Sequence, residues 1–155
     1  MAAKPEDALI TETTRGPVTV ELGPDLAPNH VARIKELACQ GFDDGVMFHR
    51  VINGFTAQTS DPTGTGSGGS GQTLRPQFNR EPHIRGTVSM ARAQSTDSAD
   101  SQFFICFEDA WFLNGQCTVW GRVTQGMENV DKVIRGEHPA KPDKIVSTRV
   151  AADAG

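Results

Sequence analysis

The feature that most constrains this chain is a succession of short runs in which apolar and polar residues alternate. Each run is cut off by glycine, proline or Asn-Gly. Successive side chains of a strand point to opposite faces, so such runs suit strands with one buried and one wetter face. Residues 7–22, DALITETTRGPVTVEL, read as two strands around the turn Arg15-Gly16-Pro17. Residues 46–52 and 55–60 read as two more around Asn53-Gly54, the strongest short hairpin signal. TVSMA (87–91), QFFICF (102–107), CTVWGRV (117–123) and KIVSTRV (144–150) complete the set. Two windows have helical periodicity instead. Residues 28–40 place Val31, Ile34, Leu37 and Ala38 on one stripe, with Pro28 suited to the first turn and Gly41 to the stop. Residues 126–135 put Met127, Val130, Val133 and Ile134 on an inner side, with Gly136 ending the helix. There is no βαβ alternation and no fixed-period repeat. About eight strands and two helices in 155 residues predict a single domain, 1–155, that is mainly β, a closed barrel or a sandwich.

Composition excludes several functions. The net charge is −4, and the Lys and Arg residues are scattered rather than massed, which argues against a nucleic-acid partner. No apolar run approaches the ~20 residues of a membrane helix. The opening MAAKPEDALITE has no apolar signal core, so the expected location is the cytoplasm. Cys39, Cys106 and Cys117 are odd in number and form no CxxC, which fits free thiols in a reducing compartment.

The apparent motifs mostly dissolve on inspection. GTGSGG (64–69) and GSGGSG (66–71) satisfy GxGxxG, yet QTLRPQF follows rather than a helix, and no Walker lysine is present. A long surface loop over 61–86 explains these glycines. His30, His49, His83 and His138 are too far apart for a metal-ligand spacing; His49 reads as a core residue. No GxSxG elbow exists, and STDSADS (95–101) reads as a polar turn.

Arg50 is left over. Phe48, Val51, Ile52 and Phe55 around it read as buried, and a guanidinium does not shed its charge. A two-residue Asn53-Gly54 loop would set Arg50 against Ala57. A three-residue loop with a glycine bulge would set it against Gln58. The pattern alone supports either register, and it equally allows Arg50 merely to bond a carboxylate or loop carbonyls.

FHRVINGFTAQTSDPTGTGSGG (48–69), GTVSMARA (86–93), SADSQFFICF (98–107) and FLNGQCTVWGRV (112–123) resemble, in order and spacing, the signature blocks of the cyclophilins. These are cyclosporin-binding peptidyl-prolyl cis–trans isomerases, and the compact spacing resembles bacterial single-domain members. The resemblance spans nearly the whole chain. It implies a closed eight-stranded antiparallel β-barrel capped by two α-helices, with a groove for proline-containing peptides on its outer surface. It implies Arg50 as the catalytic arginine. Phe55, Phe104 and Leu113 would line a proline pocket with Thr56 beside them. Gln58 and Gln102 would flank the arginine and the substrate backbone. Ala91 and Arg92 would lie on the edge that bonds the peptide main chain, with Phe112 and Cys117 at the far rim. No metal, nucleotide or other cofactor is needed.

Four positions depart from the family pattern. Thr56 stands where methionine is usual, Arg92 where asparagine is frequent, Phe112 where many members have tryptophan, and Cys117 where histidine or tyrosine is usual. The Phe112 position contacts cyclosporin in the family, so weakened cyclosporin binding is expected. The expected partners are proline-containing peptides and unfolded or flexible protein segments, with the chain acting as a monomer. Two other classes compete: a non-catalytic proline-peptide binding module on the same fold, and a nucleotide-dependent oxidoreductase resting on GTGSGG alone.

Overall fold

The structure is a computed structural model, and it describes residues 7–61, 74, 77, 79, 81–91, 101–115, 117–137 and 142–151. The GTGSGG run, Arg92, His138 and most of STDSADS lie outside these residues. In chain order the elements are β1 (Ala8–Thr13), β2 (Gly16–Leu22), α1 (Pro28–Cys39), β3 (Arg50–Ile52), β4 (Thr56–Thr59), β5 (Thr87–Met90) and β6 (Phe103–Cys106). There follow β7 (Val119–Gln125), α2 (Met127–Val130), β8 (Gly136–Glu137) and β9 (Ile145–Val150). A one-turn 3-10 helix, Trp111–Leu113, lies between β6 and β7.

Helix α1 forms where its periodicity predicts. Val31, Ile34, Leu37 and Ala38 are buried. Proline occupies its first turn, where an N–H would have no helical partner. Its end is a left-handed cap. Gly41 has φ 67°, its N–H donates to the Ala38 carbonyl at 3.2 Å, and Phe42 N–H donates to the Leu37 carbonyl at 3.0 Å.

The strands form one antiparallel sheet in the order β8-β3-β4-β6-β5-β7-β2-β1-β9. Register shifts at Glu12/Thr13, Thr19/Val20 and Val88/Ser89 insert irregularities that add twist and curl the sheet. Leu9, Val20, Val51, Val88, Met90, Phe103, Trp120 and Ile145 share one core with the apolar stripe of α1.

Three expectations need correction. The sheet is an open, curled half-barrel rather than the expected closed barrel, because its outermost strands, β8 and β9, are not paired with each other. The segment before β3 is instead laced to the segment before β9. Gly45 N–H donates to the Ile145 carbonyl at 2.7 Å, Ile145 N–H to Val46 at 2.8 Å, and Phe48 N–H to Asp143 at 2.8 Å. That lacing explains the second correction: the strand expected over 46–52 is only Arg50–Ile52. Third, the second helix stops at Val130 rather than running to 135. Side-chain captures pull the following residues out of helical register. Arg85 grips the Asp131 carboxylate through two hydrogen bonds, at 2.9 and 2.6 Å. The Asp143 carboxylate accepts from Ile134 N–H at 2.8 Å. Arg135 lies 4.2 Å from the centre of the Phe107 ring. Val133 is buried as expected, but Ile134 is exposed. Gly136, expected as a helix stop, opens strand β8 and pairs with Val51.

Candidate active site

Strand register assembles the site. Arg50 on β3 is opposite Gln58 on β4, Gln58 is opposite Phe104 on β6, and Phe104 is opposite Ser89 on β5. The next row, Val51, Ala57, Ile105 and Val88, lies wholly in the core. Period two therefore puts Arg50, Gln58, Phe104 and Ser89 together on the opposite face.

The hairpin decides which residue Arg50 meets. Its loop is the three-residue Asn53-Gly54-Phe55: Ile52 pairs with Thr56, and Phe55 N–H donates to the Ile52 carbonyl at 3.0 Å. Gly54 has φ 73°, a left-handed conformation that favours glycine. The longer loop thus selects Gln58 over Ala57. Arg50 itself is exposed, although Phe48 and Val51 beside it are buried as expected. Its strand reads exposed, buried, intermediate from Arg50 to Ile52, so the guanidinium meets solvent and the penalty of a buried charge does not arise.

The other expected site residues enter from three directions. Gln58 Nε2 donates to Gln102 Oε1 at 2.8 Å, tying β4 to the start of β6. Gln102 also gives its carbonyl to Ala91 N–H at 2.9 Å. Phe55 is half-buried, and its carbonyl accepts from Phe107 N–H at 2.8 Å. Thr56 is buried on the Gln58 face, opposite Cys106. Leu113 is half-buried on the 3-10 turn, and Cys117 is half-buried further along the same connection. The backbone of Phe112 belongs to this turn; its side chain, like Arg92, lies outside what is described.

A group of residues that sequence reasoning missed joins these parts. His83 is fully buried with its ring stacked against Phe104, centroids 6.0 Å apart and planes 23° apart. Its Nε2 meets Ser89 Oγ at 3.0 Å, and its Nδ1 meets Asn114 Oδ1 at 3.1 Å. Burial holds the imidazole pKa below its ordinary value, with the Asn114 bond opposing. The His83–Ser89 and His83–Asn114 separations carry no periodic signal. The motif that would have exposed them does not exist in the sequence, where His83 was weighed only as a metal ligand.

A second polar chain runs beneath the site. Ser60, a non-glycine residue at φ 71°, donates from its hydroxyl to the buried Asp43 carboxylate. Its carbonyl accepts from Ser101 Oγ at 2.7 Å, one residue before Gln102. Burial pushes the Asp43 pKa up from 3.8 to about 6, against the Ser60 hydrogen bond. Between these values the folded state holds a proton that the unfolded chain releases. Asp43 thus favours folding more as pH falls through about 6 toward 3.8. In urea titrations of wild type and Asp43→Asn, the stability difference should shift toward wild type by about 2 kcal/mol from pH 8 to pH 4. A difference that is flat with pH would contradict this.

Cys106 is buried, and burial pushes its thiol up to about 12, so it is inert as a nucleophile. Among the described residues no helix is long and apolar enough to cross a membrane.

Comparison with known proteins agrees with this fold. The model of the cyclophilin type peptidyl-prolyl cis-trans isomerase family matches residues 8–150. A probable peptidyl-prolyl cis-trans isomerase of Brucella suis biovar 1 (strain 1330) is 47% identical, over 98% of this chain and 86% of its own. Peptidyl-prolyl cis-trans isomerase B of Bacillus subtilis (strain 168) is 44% identical, over 77% of this chain and 85% of its own. The crystal structure of a cyclophilin from Hirschia baltica superposes with a TM-score of 0.91 at 29% identity, covering 99% of this chain and 77% of that one. A Cryptosporidium parvum cyclophilin type isomerase, crystallised in the presence of the dipeptide Ala-Pro, gives 0.86 at 27% identity, covering 92% and 98%. The chain belongs to the cyclophilin-type peptidyl-prolyl cis–trans isomerases. Its activity is isomerisation of peptidyl-prolyl bonds.

Proposed function

We propose that Arg50 and Gln58 carry the isomerisation by favouring the twisted state of an X–Pro amide seated against Phe55, Phe104 and Leu113. The observation that supports this most is the single outward-facing row of Arg50, Gln58 and Phe104, with Gln58 bonded to Gln102. The barrier to rotation is near ~20 kcal/mol, and the bond exchanges unaided in tens to hundreds of seconds. That barrier is lost amide resonance. In the twisted state the proline nitrogen becomes pyramidal and gains a lone pair, which a cationic donor can meet. Planar substrate offers no such acceptor, so the interaction is specific to the transition state. Gln58 is the neutral cross-strand neighbour of Arg50 on one side, and Glu137 on β8 is opposite it on the other.

Arg50 cannot supply the whole effect. A turnover on the order of 10²–10³ per second needs about 6 kcal/mol off the barrier. A hydrogen bond to a charged group is worth roughly 1.5–3 kcal/mol. Phe55, Phe104 and Leu113, with Thr56 beside them, anchor the proline ring, and the remainder of the effect comes from fixing the neighbouring carbonyl while the amide turns. Main-chain contacts along Ala91 and Arg92, and Gln102, fix the neighbouring carbonyl. Phe112 and Cys117 form the rim. The clients are exposed proline segments of folding or flexible proteins, which makes the chain a folding catalyst acting as a monomer. Three cysteines outside any disulfide, Cys39, Cys106 and Cys117, support a reducing cytoplasm as its location.

Two-dimensional NMR exchange on a short Ala-Pro peptide tests the reading. Cis–trans cross-peaks at catalytic protein concentration are expected; broadening without exchange would mean binding alone. Cyclosporin titration tests the rim. With Phe112 in place of tryptophan, binding is expected to be about tenfold or more weaker than in tryptophan-bearing members, the loss of an aromatic contact and its buried area. Equal affinity would contradict that role for Phe112.

A further inference from the structure

We propose that His83 is a positioning residue that clamps the turn bearing Leu113 onto the strand bearing Phe104, and so sets the width of the seat for the proline ring. The inference rests on the reading of Phe104 and Leu113 as that seat. Its basis is four polar links made by one residue. The His83 carbonyl accepts from Ala110 N–H at 2.8 Å, at the start of the 3-10 turn. The His83 N–H donates to Asn114 Oδ1 at 2.7 Å, at the end of the turn. The imidazole Nδ1 meets the same Oδ1 at 3.1 Å, and Nε2 meets Ser89 Oγ on β5 at 3.0 Å. Since the amide oxygen can only accept, Nδ1 carries the proton, leaving Nε2 to accept from the Ser89 hydroxyl.

This arrangement spans the seat. Ser89 is the cross-strand partner of Phe104, and the imidazole is stacked on the Phe104 ring. Leu113 is one residue from Asn114, and its own N–H donates to the Ala110 carbonyl at 3.0 Å. Both ends of the turn are therefore pinned to His83, and His83 is pinned to the sheet. Without the clamp the turn retains its internal hydrogen bonds but loses its fixed distance from Phe104. A ring seat grips planar and twisted proline alike. Loosening it removes uniform binding, which appears in KM rather than kcat.

The test uses Asn114, which is exposed and so tolerates change. Asn114→Leu removes the acceptor of two clamp bonds, whereas Asn114→Asp keeps an oxygen there. His83→Phe keeps the ring and its stacking but loses both side-chain bonds. With the Ala-Pro peptide, Asn114→Leu and His83→Phe should each raise KM about five- to tenfold, with kcat within about twofold of wild type. Asn114→Asp should stay within about twofold in both, and the double variant should be no worse than the more affected single. A folded Asn114→Leu protein with wild-type KM, or an Asn114→Asp protein as impaired as Asn114→Leu, would overturn the clamp. These results are distinct from failure of the underlying reading. That failure would appear as a wild-type protein without exchange activity, or as Arg50→Ala retaining the full rate.

Discussion

Arg50→Ala is expected to lower turnover of a short Ala-Pro peptide by between about tenfold and 150-fold, while its affinity changes less than about threefold. The range follows from one charge-assisted hydrogen bond, worth roughly 1.5–3 kcal/mol, present only in the twisted state. Affinity is spared because the planar proline nitrogen offers Arg50 no lone pair. The exposure of Arg50 strengthens this expectation: the guanidinium is on the outer face, and its removal leaves no buried hole. NMR exchange rates at saturating peptide, with affinities from chemical-shift titration, separate the two quantities. Lost affinity with intact turnover in the bound state would refute the assigned role.

The largest stability effect is expected at Trp120. This side chain is 0% exposed and packs edge-on against Phe103, with ring centroids 5.3 Å apart and planes at 80°. Trp120→Ala should destabilise the fold by about 3–5 kcal/mol through lost burial and the cavity left behind. For a domain of this size that corresponds to a fall in Tm of roughly 10–15 °C. Thermal unfolding followed by circular dichroism measures it. A fall of under about 3 °C would mean that neighbouring side chains collapse into the space. Phe103 is the neighbour of Phe104 on β6, so the same strand presents one phenylalanine to the core and the next to the site.

The strands and α1 were legible because their signals are local. Alternation marks a strand face, and proline and glycine bracket a helix. The family blocks carried the names of the site residues as well. The structure places Arg50, Gln58 and Phe104 on adjoining strands and Gln102 just before β6, but their functional roles rest on the proposal. The Arg50–Gln58 pairing stayed open in the sequence, since one residue of loop length decides it and Asn53-Gly54 suits both lengths. The exposure of Arg50 was not legible in the sequence, because Phe48, His49 and Val51 are all buried around it. Phe48 and its neighbours leave the strand to bond residues 143–145, far along the chain, which no periodicity can foresee. The early end of α2 has the same origin, in carboxylates supplied by Asp131 and Asp143 to distant donors. The linkage of His83, Ser89 and Asn114 is tertiary throughout.

The place of β1 bears on how this sheet is completed as the chain emerges from a ribosome. Its partners are β2, which follows at once, and β9, with Leu9 opposite Val150. One side of β1 can zip as a local hairpin within moments of synthesis. The other side stays an open template until nearly everything else has been made. Late, non-local pairing of this kind is slow, and an unpaired edge invites other chains. Nascent or truncated chains that lack β9 thus carry a sticky margin along β1, which β9 covers in the folded chain.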